Sequence, residues 1–458
     1  MPEPSINRDG GFDLFALVGS LSSLVRSEKS LRRLRVLVVY LTGQGLVQLL
    51  SLSVGLLLLR WLSVDSYAQF SVAFGFQTTL SMLTDLGFAG TIVALVGTRG
   101  NDLEVVGSYI RSGRHLRNSM LHCLTPVAAI VYISIAWHHH WDRLTSTLLF
   151  VSIIGSIYFT GMVSYYGAPL LIRGRLSHYY RHQLAGAAFR LVVCGVLYLM
   201  GGLFAWTASW ANALGFLLIG WLNARESRPF ASLPVRPSSE VTRQMVRYVM
   251  PNLPALIFFS LQGQISLFLI SFFGQTRSIA EVGALGRLGQ IFLLLSGFNA
   301  AVIEPFIARL PKERVLRNYL IVLGASSAIC VVICLAGFLE PKLFLLLLGA
   351  KYASLRRETG WLVLGSCMSY LVGVTWTMHA ARRWIFWTTS WFTIGTILTA
   401  QTAFLYFFKV DSTIHVIYFG AVTSAANLVS NLFNGAYGYV RGPKIEIPEV
   451  VRVTQLVE

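Results

Sequence analysis

Apolar residues run through this chain in about a dozen stretches, most of them near 20 residues or longer, separated by short polar gaps. A run of roughly 20 apolar residues is what an α-helix needs to cross a hydrocarbon core about 30 Å thick. The runs place spans at 36–59, 67–97, 119–137, 146–171, 183–200, 203–223, 247–273, 281–308, 319–339, 358–380, 385–408 and 415–438. They predict an all-α polytopic membrane protein with about twelve transmembrane helices, because only helices satisfy their own backbone groups segment by segment in lipid. No gap exceeds about thirty residues, so no soluble catalytic domain fits between spans.

Charge adds direction to the spans. The chain is 55% hydrophobic and 12% charged, poorer in charge than a soluble domain, yet its net charge is +17. The basic residues gather in alternate gaps: the N-terminal segment, then Arg99, Arg111, Arg114 and Arg117, then Arg173, Arg175 and Arg181, then the central gap, then Arg309, Lys312, Arg314 and Arg317, then Arg382 and Arg383, then the tail. Cytoplasmic loops retain Lys and Arg, so both termini are expected in the cytoplasm. Dispersed through loops, the charge suits anionic lipid headgroups and not a nucleic acid. The five cysteines form no CxxC pair, and His138, His139 and His140, being consecutive, cannot share one helix face; neither pattern calls for a metal or another cofactor.

The central gap, 224–246, holds Pro229, Pro234 and Pro237 and divides the chain into six spans and six. The expected organisation is an N-terminal segment 1–34 with an interfacial amphipathic helix over 11–34, an N-lobe 35–223, a linker 224–246, a C-lobe 247–440 and a tail 441–458. The halves echo each other. Span two is entered through Tyr67-Ala68-Gln69 and span eight through Ile279-Ala280-Glu281. Parallel repeats of this kind place a binding site between the lobes.

Polar residues inside the spans are costly and need a reason. Arg287 lies a turn or two inside span eight and Arg190 seven or eight residues into span five; with Arg60 and Arg277 they are the candidates for an anionic group, since a guanidinium offers several donors and a permanent charge. Gln44, Gln48, Gln77, Asn252, Gln262, Gln264, Gln290 and Asn299 are candidates for a polar cavity or for bonds between helices. Arg60 also suits snorkelling to the outer interface. Asp85, before Leu86-Gly87, suits either a break in span two or ion coupling, and Glu304 suits coupling or simple solvation. Asn427, Asn431 and Asn434, at i, i+4, i+7, read as packing of one helix on another.

Three segments carry a family resemblance. Gly43–Gly97 includes Tyr67 and Asp85-Leu86-Gly87; Leu343–Gly373 includes Gly349, Lys351, Tyr352 and Ala353; the third is the polar–apolar pair of spans seven and eight. Over residues 35–440 the chain resembles a Wzx-type polysaccharide flippase, of the polysaccharide transporter branch of the MOP exporter superfamily. The resemblance implies two six-helix lobes facing across a central cavity lined with basic residues. It also implies a cargo of undecaprenyl-diphosphate-linked oligosaccharide moved from the inner to the outer leaflet of the bacterial inner membrane, with a polysaccharide polymerase and glycosyltransferases as pathway partners. The chain departs from some relatives in having few basic residues deep in span one. The rivals are a multidrug or small-metabolite exporter of the same superfamily, expected to prefer an acidic, aromatic cavity, and a membrane enzyme of polysaccharide assembly. The latter needs a sizeable extracytoplasmic loop, which this chain lacks, so the protein is expected not to be an enzyme.

Overall fold

The computed structural model describes residues 28–442 apart from 101, 232–236, 309 and 385. The first half forms α1 (Glu28–Trp61), α2 (Val64–Asp85) continued by α3 (Phe88–Val96), α4 (Leu103–His138), α5 (Arg143–Ile172), α6 (Leu176–Leu199) and α7 (Ala205–Glu226). The connector holds α8 (Ser239–Val249). The second half forms α9 (Leu253–Gln262), α10 (Ile265–Phe273), α11 (Thr276–Gly289), α12 (Ile291–Phe298), α13 (Lys312–Leu339), α14 (Pro341–Leu348), α15 (Arg356–Ala381), α16 (Trp387–Phe407) and α17 (Thr413–Arg441). Among the described residues eight helices are long and apolar enough to cross a membrane, and α9 with α10, bent by 48° at Gly263 and Gln264, makes a ninth. The chain is a multi-pass membrane protein. Ile130, Leu199, Val332, Leu339 and Val440, each at least two-thirds exposed in the protein alone, mark the surface that lipid covers.

Local chemistry sets the helix ends. Ser63 accepts from Ser66 N, Asp102 from Glu104 N and Val105 N, and Asp142 from Thr145 N, so short polar turns start α2, α4 and α5. Span two breaks where Leu86 (φ 44°) and Gly87 (φ 82°) both take the left-handed conformation. A left-handed leucine is uncommon outside turns and strained sites. Span eight is broken between α11 and α12 at Gln290 and again by a π turn over Asn299–Ile303.

Small residues let helices approach closely, which drives association in lipid. In the first half α5 packs on α7, with Ser152 Oγ 2.6 Å from Ser209 Oγ and Asn223 Nδ2 donating to Val163 O at 3.1 Å. In the second half α15 packs on α17, where a Cβ at Gly365 would lie 3.3 Å from Ala421 Cα. The fourth and sixth spans of each half are thus paired alike. The two entry motifs are also equivalent: Tyr67 and Ile279 are each the fourth residue of their helix, and Tyr67, Ala68, Ile279 and Ala280 are all fully buried.

One expectation lies largely outside the described residues, and one changes. The proposed interfacial helix over 11–34 lies outside the described residues up to 27, and from Glu28 the chain is already in α1. The connector is not a plain linker. Its helix α8 is amphipathic and docks on α4 through buried Met245 and Val249, with Tyr109 Oη donating to Gln244 Oε1 at 2.8 Å and Ser238 N to Ser112 Oγ at 3.0 Å. Prolines stop a helix only locally, and the apolar face that follows them is long enough to bury.

Candidate functional site

Two ends of the molecule behave differently. The end that carries Arg99, Arg173, Arg225, Arg382 and Arg441 is here the basic end; Trp61, Trp141 and Glu340 mark the opposite end.

At the opposite end the halves are fastened together. Arg60 Nη2 donates to Leu346 O at 2.7 Å and Leu347 O at 3.3 Å, the carbonyls that end α14. Lys351 Nζ reciprocates to Arg60 O at 2.8 Å and Leu62 O at 2.7 Å. Both cations cover helix C-termini, where carbonyls lack partners and the dipole is negative. His139 Nε2 lies 2.8 Å from Ser271 O across the same boundary. Between these contacts α2 meets α11: Tyr67 Oη donates to Gly283 O at 3.4 Å, and a Cβ at Gly283 would fall 2.4 Å from Ser71 Oγ. Gly283→Val is therefore expected to force the halves apart at this end. Spin labels at Ser63 and Gln275 should report a longer distance in the variant; an unchanged distance would show that this contact does not hold the closure.

Toward the basic end the halves part around a cavity of about 760 Å³. One wall, from the first half, holds Asp85, Leu86 and Gly87 at the break in span two, with Arg117, Thr160 and Ser164. Arg117 is 2% exposed; its Nη2 donates to Ile157 O at 2.9 Å, and its charge attracts Asp85. The other wall, from the second half, holds Asn252, Ser369, Trp376, Thr389, Asn427, Asn431 and Asn434.

A smaller pocket of about 310 Å³ lies between α1, α2, α6, α7 and α11. Arg190 and Arg287 both line it, with Gln48, Ser51, Phe74, Asn212 and Gln290. Arg287, 7% exposed, comes from the second half and reaches into the first. Its Nε donates to Tyr67 Oη at 3.3 Å and its Nη1 to Gln290 Oε1 at 3.4 Å, and its guanidinium sits 4.4 Å from the Phe74 ring centre. Arg190 donates through Nη1 to Asn212 Oδ1 at 2.8 Å and through Nη2 to Ser51 Oγ at 3.3 Å, over the face of Phe216 at 5.3 Å. Asn212 in turn donates to Gln77 Oε1 at 2.9 Å. Among the described residues neither arginine pairs with a carboxylate; the ion pairs lie elsewhere, as in Arg175–Glu226 and Arg277–Glu281. Aromatic faces and amide oxygens hold the two cations without neutralising them. The pocket thus holds two guanidinium groups on its wall.

No protein-family model and no curated protein matches the sequence. Solved structures do match. An inward-facing multidrug resistance MATE family transporter of the MOP superfamily is 15% identical, with 88% of this chain and 98% of that chain covered at a TM-score of 0.67. A MOP superfamily transporter from Pyrococcus furiosus Vc1, described as having a binding pocket of reverse polarity that suggests a different function, is 14% identical over 91% and 97%, with a TM-score of 0.59. An outward-facing MATE transporter is 15% identical over 89% and 94%, with a TM-score of 0.55. The chain has the fold of a MATE transporter.

Within the MATE fold the sequence candidates separate. Arg287, Arg190, Gln48 and Gln290 meet in the smaller pocket, and Gln77 supports it through Asn212. Asp85 and Asn252 line the large cavity. Arg60 and Arg277 do not belong with the other two arginines: Arg60 is part of the opposite-end clasp, and Arg277, exposed, pairs with Glu281 at 3.0 Å. Glu304 is exposed, and neither it nor Gln44 lines the cavities described above. Gln262 and Gln264 flank the bend between α9 and α10, and Asn299 accepts from Tyr370 Oη at 3.1 Å at the π turn, so these three mark breaks in spans seven and eight. Asp85 lies at the break in span two, but no side-chain bond caps the helix that follows.

The charge pattern assigns Arg117 to a loop, yet it is buried inside α4, which begins at Leu103 and not at 119. Asp102, a ready N-cap, was the signal that the helix starts earlier. Asn212 gives no signal in the sequence, because a single Asn in the middle of an apolar run barely changes the hydropathy of the run.

Proposed function

We propose that this protein is an alternating-access membrane transporter whose cargo carries an anionic group. The observation that carries the reading is the pocket in which Arg190 and Arg287 meet without a carboxylate partner. A guanidinium bonds phosphate oxygens in bidentate fashion, and a low-dielectric pocket strengthens that attraction. The basic end is assigned to the cytoplasm by the distribution of Lys and Arg, which puts the large cavity in an inward-open state and the termini inside. Asp85, facing this cavity beside Arg117, is the candidate for ion coupling.

Two cargo readings follow. The lipid-linked oligosaccharide reading is supported by the sequence resemblance and the paired arginines: the diphosphate would sit at Arg190 and Arg287 while the polyprenyl tail stays in the bilayer, and a polymerase would use the flipped product. The small-molecule exporter reading is supported by the neighbours described as multidrug MATE transporters, which fit it at least as well. Pocket polarity has been linked to a difference in function for the Pyrococcus furiosus protein, and pocket polarity here favours anions.

Proteoliposomes separate the readings. Fluorescent undecaprenyl-diphosphate oligosaccharide is expected to become accessible on the far leaflet only with the protein present, whereas ethidium is expected not to be accumulated. Ethidium transport with no movement of the lipid-linked sugar would overturn the anionic reading and establish the exporter.

A further inference from the structure

His138, His139 and His140 stand where α4 ends, at the end opposite the basic loops. The chain turns sharply there: His140 takes a left-handed φ of 54°, and Trp141 N returns to Ala136 O at 3.0 Å. Consecutive side chains on such a turn project in different directions. His138 and His140 are exposed, whereas His139 is half-buried and reaches into the second half of the molecule.

Each ring nitrogen of His139 has a partner, and both partners belong to the second half. Nε2 lies 2.8 Å from Ser271 O of α10, and Nδ1 lies 3.2 Å from Thr276 Oγ1 of α11. The Trp141 ring stacks on the imidazole, with centres 5.9 Å apart. A carbonyl oxygen only accepts, so Nε2 carries the hydrogen. In the neutral ring Nδ1 is then the acceptor, and the Thr276 hydroxyl donates to it. A second proton reverses that bond: the hydroxyl must turn away its hydrogen. The new cation then lies against the first turn of α11, which Thr276 begins and where free N–H groups form the positive end of the helix dipole. The surrounding charges do not relieve it. Arg277 follows Thr276, and Glu281 is already held by Arg277 at 3.0 Å and by Thr413 Oγ1 at 2.6 Å. Asp142 accepts from Thr145 N at 2.9 Å. Burial, together with repulsion from His138 and His140, holds the His139 pKa below the ordinary imidazole value, against the bond to Ser271, which raises it.

We propose that His139 is a pH-sensitive latch on the opposite-end closure: neutral, it joins the halves through Ser271 and Thr276, and protonated, it releases them. The sign follows from linkage. Parting the halves returns the ring to water, where an imidazole titrates near pH ~6.5, so the open form takes up the proton more readily than the closed form. The closure is at full strength above that pH. It weakens as the pH falls through that value toward the lower pKa of the closed form. The basic loops assign this end to the exterior, so acid outside the cell favours the outward-open form. The latch belongs to the closure and is independent of which cargo is carried.

The test uses the full-length protein in phosphatidylcholine nanodiscs, which sustain no gradient, with spin labels at Ser63 and Gln275. Distances are read at about pH 8 and about pH 5.5, on either side of the imidazole range. The wild type is expected to gain a longer-distance population in acid and to lose it on return to the higher pH. His139→Gln supplies an uncharged donor for Ser271 O and an acceptor for Thr276, and is expected to keep the short distance at both. His138→Gln combined with His140→Gln is expected to respond as the wild type does. A wild type indifferent to pH, a His139→Gln that still opens in acid, or a double variant that does not open would each overturn the proposal. So would a His139→Gln already open at the higher pH, since an uncharged donor and acceptor would then not hold the contact. Gly283→Val, read with the same labels, separates the two claims: if it opens and acid does not open the wild type, the closure stands and the latch falls.

Discussion

Arg287→Ala and Arg190→Ala should each weaken pyrophosphate binding by about 10- to 100-fold, the range for one charge-assisted bond of about 1.5–3 kcal/mol. Arg287 is expected to give the larger effect, because it is the cation that crosses from one half to the other: its Tyr67 and Gln290 bonds are long, at 3.3 and 3.4 Å, and leave its donors available. Arg190 is more committed, to Asn212 at 2.8 Å, and shares its load with Gln77 beyond. If both grip one anion, the double variant should lose less than the product of the single losses, since removing either cation already weakens the hold of the other. Calorimetry on the four proteins gives the cycle. Independent losses that simply multiply would mean two separate anion sites, and no loss in either variant would remove the pocket from the account. Arg190→Lys and Arg287→Lys should recover only part of the affinity, because a lysine supplies the charge without the fork.

The second large effect is on stability. Arg117→Met should destabilise the protein by about 1.5–3 kcal/mol, the scale for losing a charge-assisted hydrogen bond, here Nη2 to Ile157 O at 2.9 Å. Arg117 is nearly inaccessible, packs its guanidinium 3.2 Å from where a Cβ at Gly161 would lie, and is the cation that attracts Asp85. Asp85 in turn has one buried oxygen without a hydrogen-bond partner. Asp85→Asn with Arg117→Met should cost less than the sum of the single changes, because the double variant leaves no uncompensated charge. Thermal melts in detergent read the cycle. A loss within about 0.5 kcal/mol for Arg117→Met alone, the range of an ordinary surface change, would show that the charge is solvated through the cavity.

The spans and their alternation were readable from the sequence because hydropathy and loop charge are sums over neighbouring residues, and lipid punishes departures from them. Arg190 and Arg287 were readable for the converse reason: each is a permanent charge too far inside an apolar run to be a loop residue. That the two share a pocket was not readable, since it depends on α6 and α11 meeting beside α1, which is a property of the packed lobes. Arg60 and Arg277 looked equivalent in sequence, but depth along a helix does not tell which neighbour's carbonyls or carboxylates lie alongside. Arg117 illustrates the opposite error, where an early helix start hidden behind a polar, basic first half turned a buried cation into an apparent loop charge. The asparagines of α17 have the spacing of a packing face, and the structure shows that Asn434 ties α17 to α16 while all three also line the large cavity.

Access to the cavity tests the account most directly. With Cys123, the exposed native thiol, replaced by Ser, a cysteine at Ser164 reports the large cavity to a membrane-impermeant maleimide in oriented vesicles. The account predicts labelling from the basic, cytoplasmic end in the resting protein, no labelling from the other end, and a reversal of that preference in Gly283→Val, whose opposite-end closure is broken. Labelling from both ends at once would describe a channel, and labelling from the opposite end alone in the resting protein would contradict the inward-open assignment.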